Sequence, residues 1–256
     1  MFRRSRFSAS LKDSLEQALA LLQAAEDVVA LTGAGISTPS GIPDFRTAKT
    51  GLWSQTNPFE VASIWAFHDH PQRFYNWVRP LARDILNARA NAAHEALAQM
   101  AKLSAIFTQN IDGLHQQAGS QNVFEIHGNL RTMHCLQCKS SVPSQSLLKA
   151  LVDSGAMPVC PNCGEILKPA IVLFGEAMPH DVIIEAQERT LYSDLMLVVG
   201  SSLAVMPAAD LPALAVRSGS KLIIATLGVT QLDHLADVII RGDVAKTLPW
   251  LAERLR

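Results

Sequence analysis

The stretch that most constrains this chain runs from Leu31 to Arg46: Leu-Thr-Gly-Ala-Gly-Ile-Ser-Thr-Pro-Ser-Gly-Ile-Pro-Asp-Phe-Arg. An apolar run, Val28 to Leu31, reads as a buried strand and breaks at Thr32-Gly33. Gly33 and Gly35 bracket Ala34, so the backbone can turn tightly and approach a ligand with no side chain in the way. Hydroxyls follow at Ser37 and Thr38, and a second turn at Gly41 and Pro43 leads to Asp44, Phe45 and Arg46 in a row. A strand, a glycine turn and exposed amides suit a pyrophosphate. The spacing is not the usual dinucleotide fingerprint, because the sixth position from Gly33 is Thr38, not glycine. A plain turn has no need of an acid, an aromatic and a guanidinium together, and that tail points to a binding site.

Around this stretch the chain alternates. Ser10, with Asp13 three residues on, reads as a helix start, after which Leu11, Leu15, Leu19 and Leu22 share one face. Residues 51–67 are aromatic and turn-broken and read as a mobile loop running into helices. Residues 71–90 read as a helix with Phe74, Trp77 and Leu81 inward, and Asn91 as the cap of a helix over 92–101. Short apolar runs bounded by turns follow at 105–107, 123–126, 171–174, 195–199, 221–224 and 238–240, with helical patterns at 180–191, 208–217 and 244–255. Such alternation predicts an α/β fold, a parallel sheet with helices on both faces that binds nucleotides at the carboxyl ends of its strands.

Composition narrows the partners. Lys+Arg 22 against Asp+Glu 23 gives a net charge of −1, which offers no electrostatic case for nucleic acid or an anionic membrane. Lys12 and Asp13 follow the basic start Phe2–Phe7 before a long apolar run can form, so a short disordered start is expected rather than a secretory leader. No segment approaches the roughly 18 apolar residues of a membrane span, and the expected location is cytoplasmic. All four cysteines fall in two Cys-x-x-Cys knuckles, Cys135/Cys138 and Cys160/Cys163. Two disulfides are the alternative, but a cytoplasmic chain disfavours them, and knuckles about twenty residues apart predict one tetrahedral zinc. Four thiolates leave no open coordination position, so the metal is expected to be structural. Between the knuckles no aromatic residue offers a stacking surface for nucleic acid.

Further motifs sit at strand ends. Thr108-Gln109-Asn110-Ile111-Asp112 follows the run at 105–107; its amide and carboxylate groups suit ribose hydroxyls and a carboxamide, or Asn110 and Asp112 cap the next helix. His127-Gly128 ends the run at 123–126, where a histidine is either a satisfied structural residue or a proton-transfer group.

Taken together, Gly-Ala-Gly-Ile-Ser, Gly-Ile-Pro-Asp-Phe-Arg, Thr-Gln-Asn-Ile-Asp and His-Gly resemble the motifs of the sirtuins, the NAD-dependent protein deacylases, over nearly the whole chain. The resemblance implies a Rossmann-like NAD-binding domain at 10–131 and 169–256, with a cofactor loop and helical segment at 40–90. A smaller zinc-ribbon and helical module would occupy 132–168. It implies cofactor contacts for Gly33, Ala34, Gly35, Thr38, Asp44, Phe45 and Arg46, and nicotinamide-ribose contacts for Gln109, Asn110, Ile111 and Asp112. His127 would be the general base, with Asn110 and Asp112 in catalytic support. The segment Lys168-Pro-Ala-Ile-Val-Leu-Phe-Gly-Glu resembles the family's acyl-lysine tunnel, which assigns Ile171, Val172, Phe174, Gly175 and Glu176 to substrate; Ala170 departs from the aspartate usual there. Gly200, Ser201 and Ser202 match a cofactor loop whose far side, Leu203 and Val205, offers an extended edge to a peptide. Thr226 stands where the family usually carries an asparagine that contacts the adenosine ribose, and Asp243 and Val244 lie where the family closes over adenine.

The implied activity is NAD-dependent protein lysine deacetylation, the acyl group passing to ADP-ribose as nicotinamide leaves. The alternatives are mono-ADP-ribosyl transfer and a non-catalytic NAD- or peptide-binding zinc module. The implied partners are proteins carrying acylated lysine. Sirtuins that prefer succinyl or malonyl lysine carry a Tyr-x-x-Arg pair; here Val78 stands three residues after Tyr75 and Arg79 one further round, so the resemblance implies poor use of acidic acyl groups.

Overall fold

The computed structural model describes residues 7–45, 47, 51–54 and 56–256. Arg46 and residues 1–6, on which the expectation of a disordered start rests, lie outside them. The chain opens with α1 (Ala9–Ala24), which starts two residues before the expected position because the Ser8 side chain accepts from Leu11 N at 3.4 Å. Leu15, Ala18 and Leu22 are buried on its inner face. β1 (Val28–Thr32) follows, buried at every residue, and then two 3-10 turns through the glycine motif.

Where a loop running into helices is expected, a 3-10 turn at Leu52–Ser54 leads to α2 (Pro58–Val61), α3 (Ile64–Asp69) and α4 (Pro71–Asn87). Proline at the first position suits α2 and α4, since that N–H has no intrahelical partner. α5 (Ala92–Ala98) begins with a reciprocal box: Asn91 Oδ1 accepts from Ala93 N at 2.9 Å while His94 Nδ1 accepts from Asn91 N at 3.3 Å. β2 (Leu103–Thr108), α6 (Leu114–Gln117), β3 (Val123–Glu125), β4 (Gly128–Cys135), β5 (Ser141–Pro143), α7 (Gln145–Ser154) and β6 (Leu167–Ile171) follow. The last part comprises α8 (His180–Tyr192), β7 (Leu195–Val199), a 3-10 turn into α9 (Leu211–Arg217), β8 (Lys221–Ala225), β9 (Val238–Ile240) and α10 (Val244–Ala252).

Six strands form one parallel sheet in the order β3-β2-β1-β7-β8-β9. Its two faces carry alternate residues of the same strands. Val28 and Ala30 of β1, with Leu195 and Leu197 of β7, pack under α1, α5 and α10. Val29, Leu31, Met196 and Val198 pack on the other face with α8 and α9. Burial on both faces explains why these strands read as continuous apolar runs. The predicted doubly covered parallel sheet is therefore present.

One predicted strand is wrong. The run 171–174 does not enter the parallel sheet; β6 ends at Ile171 and pairs antiparallel with β4, which pairs with β5, in a separate three-stranded sheet. Val172 N instead donates to His127 O at 2.9 Å, and Phe174 N donates to Ala62 O at 2.9 Å. Apolarity there reports burial, not membership of the main sheet. Leu173 and Ile171 join a third apolar cluster with Phe74, Tyr75 and Leu81 of α4, Leu148 and Leu151 of α7, and Cys135 and Cys160. No helix among the described residues is long and apolar enough to cross a membrane.

Candidate active site

Strand order reverses between β1 and β7, and in an open parallel sheet such a reversal leaves a crevice at the carboxyl ends. The loops leaving these strands meet there: Gly33 N donates to Val199 O at 3.0 Å and Gly35 N to Gly200 O at 2.8 Å. A Cβ on Gly35 would lie 2.7 Å from Gly200 O, and one on Gly200, whose φ is +60°, 2.3 Å from Ile36 N. The glycines are thus demanded by the approach of one loop to the other, not by a ligand alone.

A cleft of about 650 Å³ opens over this crossing, within the size range of small-molecule sites. Gly33, Ala34, Gly35, Thr38, Asp44 and Phe45 line it from the first loop, and Gly200, Ser201, Ser202 and Val205 from the loop after β7. Gln109 to Asp112 line it from the end of β2 and His127 from the turn after β3, while Thr226, Asp243 and Val244 line its far end. Leu203 does not reach it: at φ +52° its side chain turns into the sheet core and is buried.

The floor is a connected polar cluster. Asn110 Nδ2 donates to Gly33 O at 3.2 Å and to Ser37 Oγ at 3.0 Å, and Ser37 Oγ donates to Asp112 Oδ2 at 2.7 Å. Asp112 Oδ1 accepts from Leu114 N at 2.9 Å, so one carboxylate both starts α6 and faces the cleft. Burial raises the Asp112 carboxyl above its ordinary range, opposed by these hydrogen bonds. Behind Ser37 lie two buried imidazoles, with His94 Nε2 3.5 Å from Ser37 Oγ and the His94 and His115 rings 4.9 Å apart. Burial holds His94 down at about 4, and burial plus the charge of His94 holds His115 at about 3, so both are neutral near pH 7. Gln109 Nε2 donates to Ser201 Oγ at 2.8 Å, joining the two loops.

His127 is half-buried, with Nδ1 3.0 Å from the Gln109 carbonyl oxygen. A carbonyl only accepts, so Nδ1 carries the proton and the basic lone pair of the neutral ring lies on Nε2.

The opposite wall is apolar. Ile42, Trp53, Trp77, Val78, Leu81 and Ile85 line it, with the Trp53 and Trp77 rings stacked at 5.1 Å and Phe45 5.3 Å from Trp53. Sequence periodicity marks Trp77 and Leu81 as inward-facing but gives no sign that they face a cavity, and it does not mark Val78 or Ile85. Ile171, Val172, Phe174, Gly175 and Glu176 line the cleft mouth on this side. No lysine or arginine is among the described lining residues. Arg79 turns away, its Nη2 donating to Val152 O at 2.8 Å, and Tyr75 is buried with its hydroxyl on Leu167 O. Asp243 caps α10, accepting from Ala245 N at 3.0 Å.

The four cysteines meet at one end of the small sheet, their Sγ atoms all within 4.8 Å of one another. Cys135 and Cys163 are 3.5 Å apart and Cys138 and Cys160 3.6 Å, far too long for disulfides. A tetrahedron with Zn–S of about 2.3 Å has edges of about 3.8 Å, which this cluster fits.

Comparison with known proteins agrees with this geometry. The Sir2 family model matches residues 33–207. The NAD-dependent protein deacetylase 1 of Geobacillus kaustophilus is 42% identical over 238 residues, covering 91% of this chain and 96% of that protein. A Sir2 enzyme structure superposes with a TM-score of 0.90 at 39% identity, covering 95% of this chain and 98% of that one. A Sir2 variant solved with a deacetylated peptide and 3′-O-acetyl ADP-ribose superposes with a TM-score of 0.85 at 40% identity, covering 94% and 96%. With the family match spanning well over half its length, the chain belongs to the Sir2 family.

Proposed function

We propose that the chain is an NAD-dependent protein lysine deacetylase, moving the acyl group of a modified lysine to ADP-ribose with release of nicotinamide. The observation that carries this reading is the pairing of His127 with the polar floor of Gln109, Asn110 and Asp112 beneath an apolar wall. The donor set fits NAD: carboxamides and the Asp112 carboxylate suit ribose hydroxyls and the nicotinamide amide, and the loop after β1 suits the pyrophosphate. Bound NAD would supply an electrophilic ribose carbon for the acyl oxygen, with nicotinamide as the leaving group. The residues do the rest. Asn110 and Asp112 orient the ribose, held in place by Ser37. His127 accepts a ribose hydroxyl proton at Nε2, while the Gln109 carbonyl fixes its tautomer. The apolar wall of α4 and Trp53 takes the neutral acyl chain and excludes water.

In this proposal residues 10–131 and 169–256 form the NAD-binding unit, with Arg46 assisting at the cofactor. Residues 132–168 form the module in which Cys135, Cys138, Cys160 and Cys163 would hold one structural zinc. Thiolates kept for a metal suit a reducing compartment, and the proposed location is the cytoplasm. The test is nicotinamide release from NAD with acetyl-lysine peptide by the parent and by His127→Ala. The parent releases nicotinamide only when the peptide is present. The variant loses deacetylation while keeping a near-parental melting temperature. A variant with near-parental turnover would overturn the role of His127, and a parent that cleaves no NAD would overturn the activity.

A further inference from the structure

The segment from Lys168 to Glu176 crosses from the small sheet to the cleft mouth and contains a buried ammonium. The Lys168 side chain is 7% exposed and forms an ion pair with Glu176 Oε2 at 2.9 Å. Its Nζ also lies 2.7 Å from Ile171 O and 3.2 Å from Pro169 O, so three N–H groups meet three acceptors. Glu176 Oε2 accepts in addition from Leu173 N at 2.8 Å. The segment therefore folds back around one charge. On its outer side Val172 N donates to His127 O at 2.9 Å, and Phe174 exchanges backbone hydrogen bonds with Ala62 and Ile64 at 2.9 and 3.0 Å. Val172, Phe174 and Gly175 are left facing the cleft.

Stability alone does not account for this pair. An apolar pair of similar volume often holds a fold as well as a buried ion pair does, and removing one partner leaves an uncompensated charge. Here the orphan would be the Glu176 carboxylate, which lines the cleft. We propose that Lys168 is a positioning residue for the protein substrate. Its ammonium fixes the curve of residues 169–176, and with it the wall along which the acylated peptide lies and the backbone link from Val172 to His127. This proposal rests on the deacetylase reading. It assigns Glu176 to the clamp and not to a direct substrate contact.

The test is equilibrium binding of an acetyl-lysine peptide and, separately, of NAD to the parent, Lys168→Met, Lys168→Arg and Glu176→Gln, with turnover measured on each. Lys168→Met is expected to weaken peptide binding about ten-fold or more, the scale of a misplaced binding surface. NAD affinity should stay within about two-fold, because the hydrogen bonds of Lys168 and Glu176 run to each other and to Pro169, Ile171 and Leu173, and not to the loops after β1 and β7. Lys168→Arg, which keeps a cation at the site, should recover most of the peptide affinity. Glu176→Gln keeps an acceptor for Leu173 N and removes the charge, so it should shift peptide binding in the same direction by less; it carries the test if Lys168→Met does not fold. Peptide and NAD affinities that fall together, or peptide affinity unchanged in both Lys168→Met and Glu176→Gln, would overturn the proposal. A parent that binds peptide and transfers no acyl group would overturn the deacetylase reading instead, with the binding ratio still deciding the clamp.

Discussion

The buried imidazole behind the polar floor makes stability depend on pH in a way one substitution isolates. His94 is fully buried, and its folded value of about 4 lies well below the ordinary 6.5. The folded state then holds fewer protons than the unfolded state, so the stability linked to His94 is complete above 6.5 and is lost as pH falls toward about 4. At 1.36 kcal/mol for each pH unit between those limits, acidification from about pH 8 to about pH 5 costs about 2 kcal/mol through His94. The test variant is His94→Gln. A glutamine at this third helical position can accept from Asn91 N as His94 Nδ1 does, and its amide can donate to Ser37 Oγ. The titration disappears while both partners keep a hydrogen bond. Urea unfolding at the two pH values measures the loss for each protein. The parent should lose about 2 kcal/mol more than the variant on acidification. His115 and Asp112 are present in both proteins, and down to about pH 5 His94 stays mostly neutral, so its charge on His115 does not enter the difference. Equal losses would refute the assignment of a neutral, buried His94.

Three further outcomes are expected. Chelating the metal should unfold the protein and zinc alone should restore it, checked by circular dichroism, because binding at four thiolates is also folding free energy. A fully folded and active metal-free protein would contradict this. Acetyl peptide should be turned over at least about ten-fold faster than succinyl peptide by kcat/KM, since an uncompensated carboxylate in an apolar wall is costly and Arg79 is committed to Val152 O. Thr226→Asn should tighten the apparent NAD constant by about 0.5–1.5 kcal/mol, one ordinary hydrogen bond, because Thr226 lines the cleft with a shorter polar reach than an amide. An unchanged constant would mean another residue makes that contact.

The fold was legible where burial is two-sided. β1 and β7 show as apolar runs of strand length ended by Gly33 and Gly200, and these turns mark the crevice. The run 171–174 is misread because an apolar run cannot say which sheet buries it, and the pairing of β4 with β6 shifts register between Gly128 and Met133. Cys135, Cys138, Cys160 and Cys163 were legible from spacing alone. Periodicity put Trp77 and Leu81 of α4 inward, but only the folded chain shows that they face a cavity. Leu203 sits in a matching motif, yet a left-handed backbone turns it away, which its side chain gives no reason to expect. The Lys168 clamp is long-range in effect and local in sequence. Nothing in the sequence around Lys168 shows that its ammonium is buried.

The central claim is acyl transfer from lysine to ADP-ribose, and product mass decides it most directly. The protein is incubated with NAD and an acetyl-lysine peptide, and both products are weighed by mass spectrometry. The account predicts a peptide lighter by one acetyl group, ADP-ribose heavier by the same group, and one nicotinamide released for each acetyl moved. A peptide that keeps its acetyl group and gains ADP-ribose would contradict it, as would a peptide recovered unchanged with NAD intact.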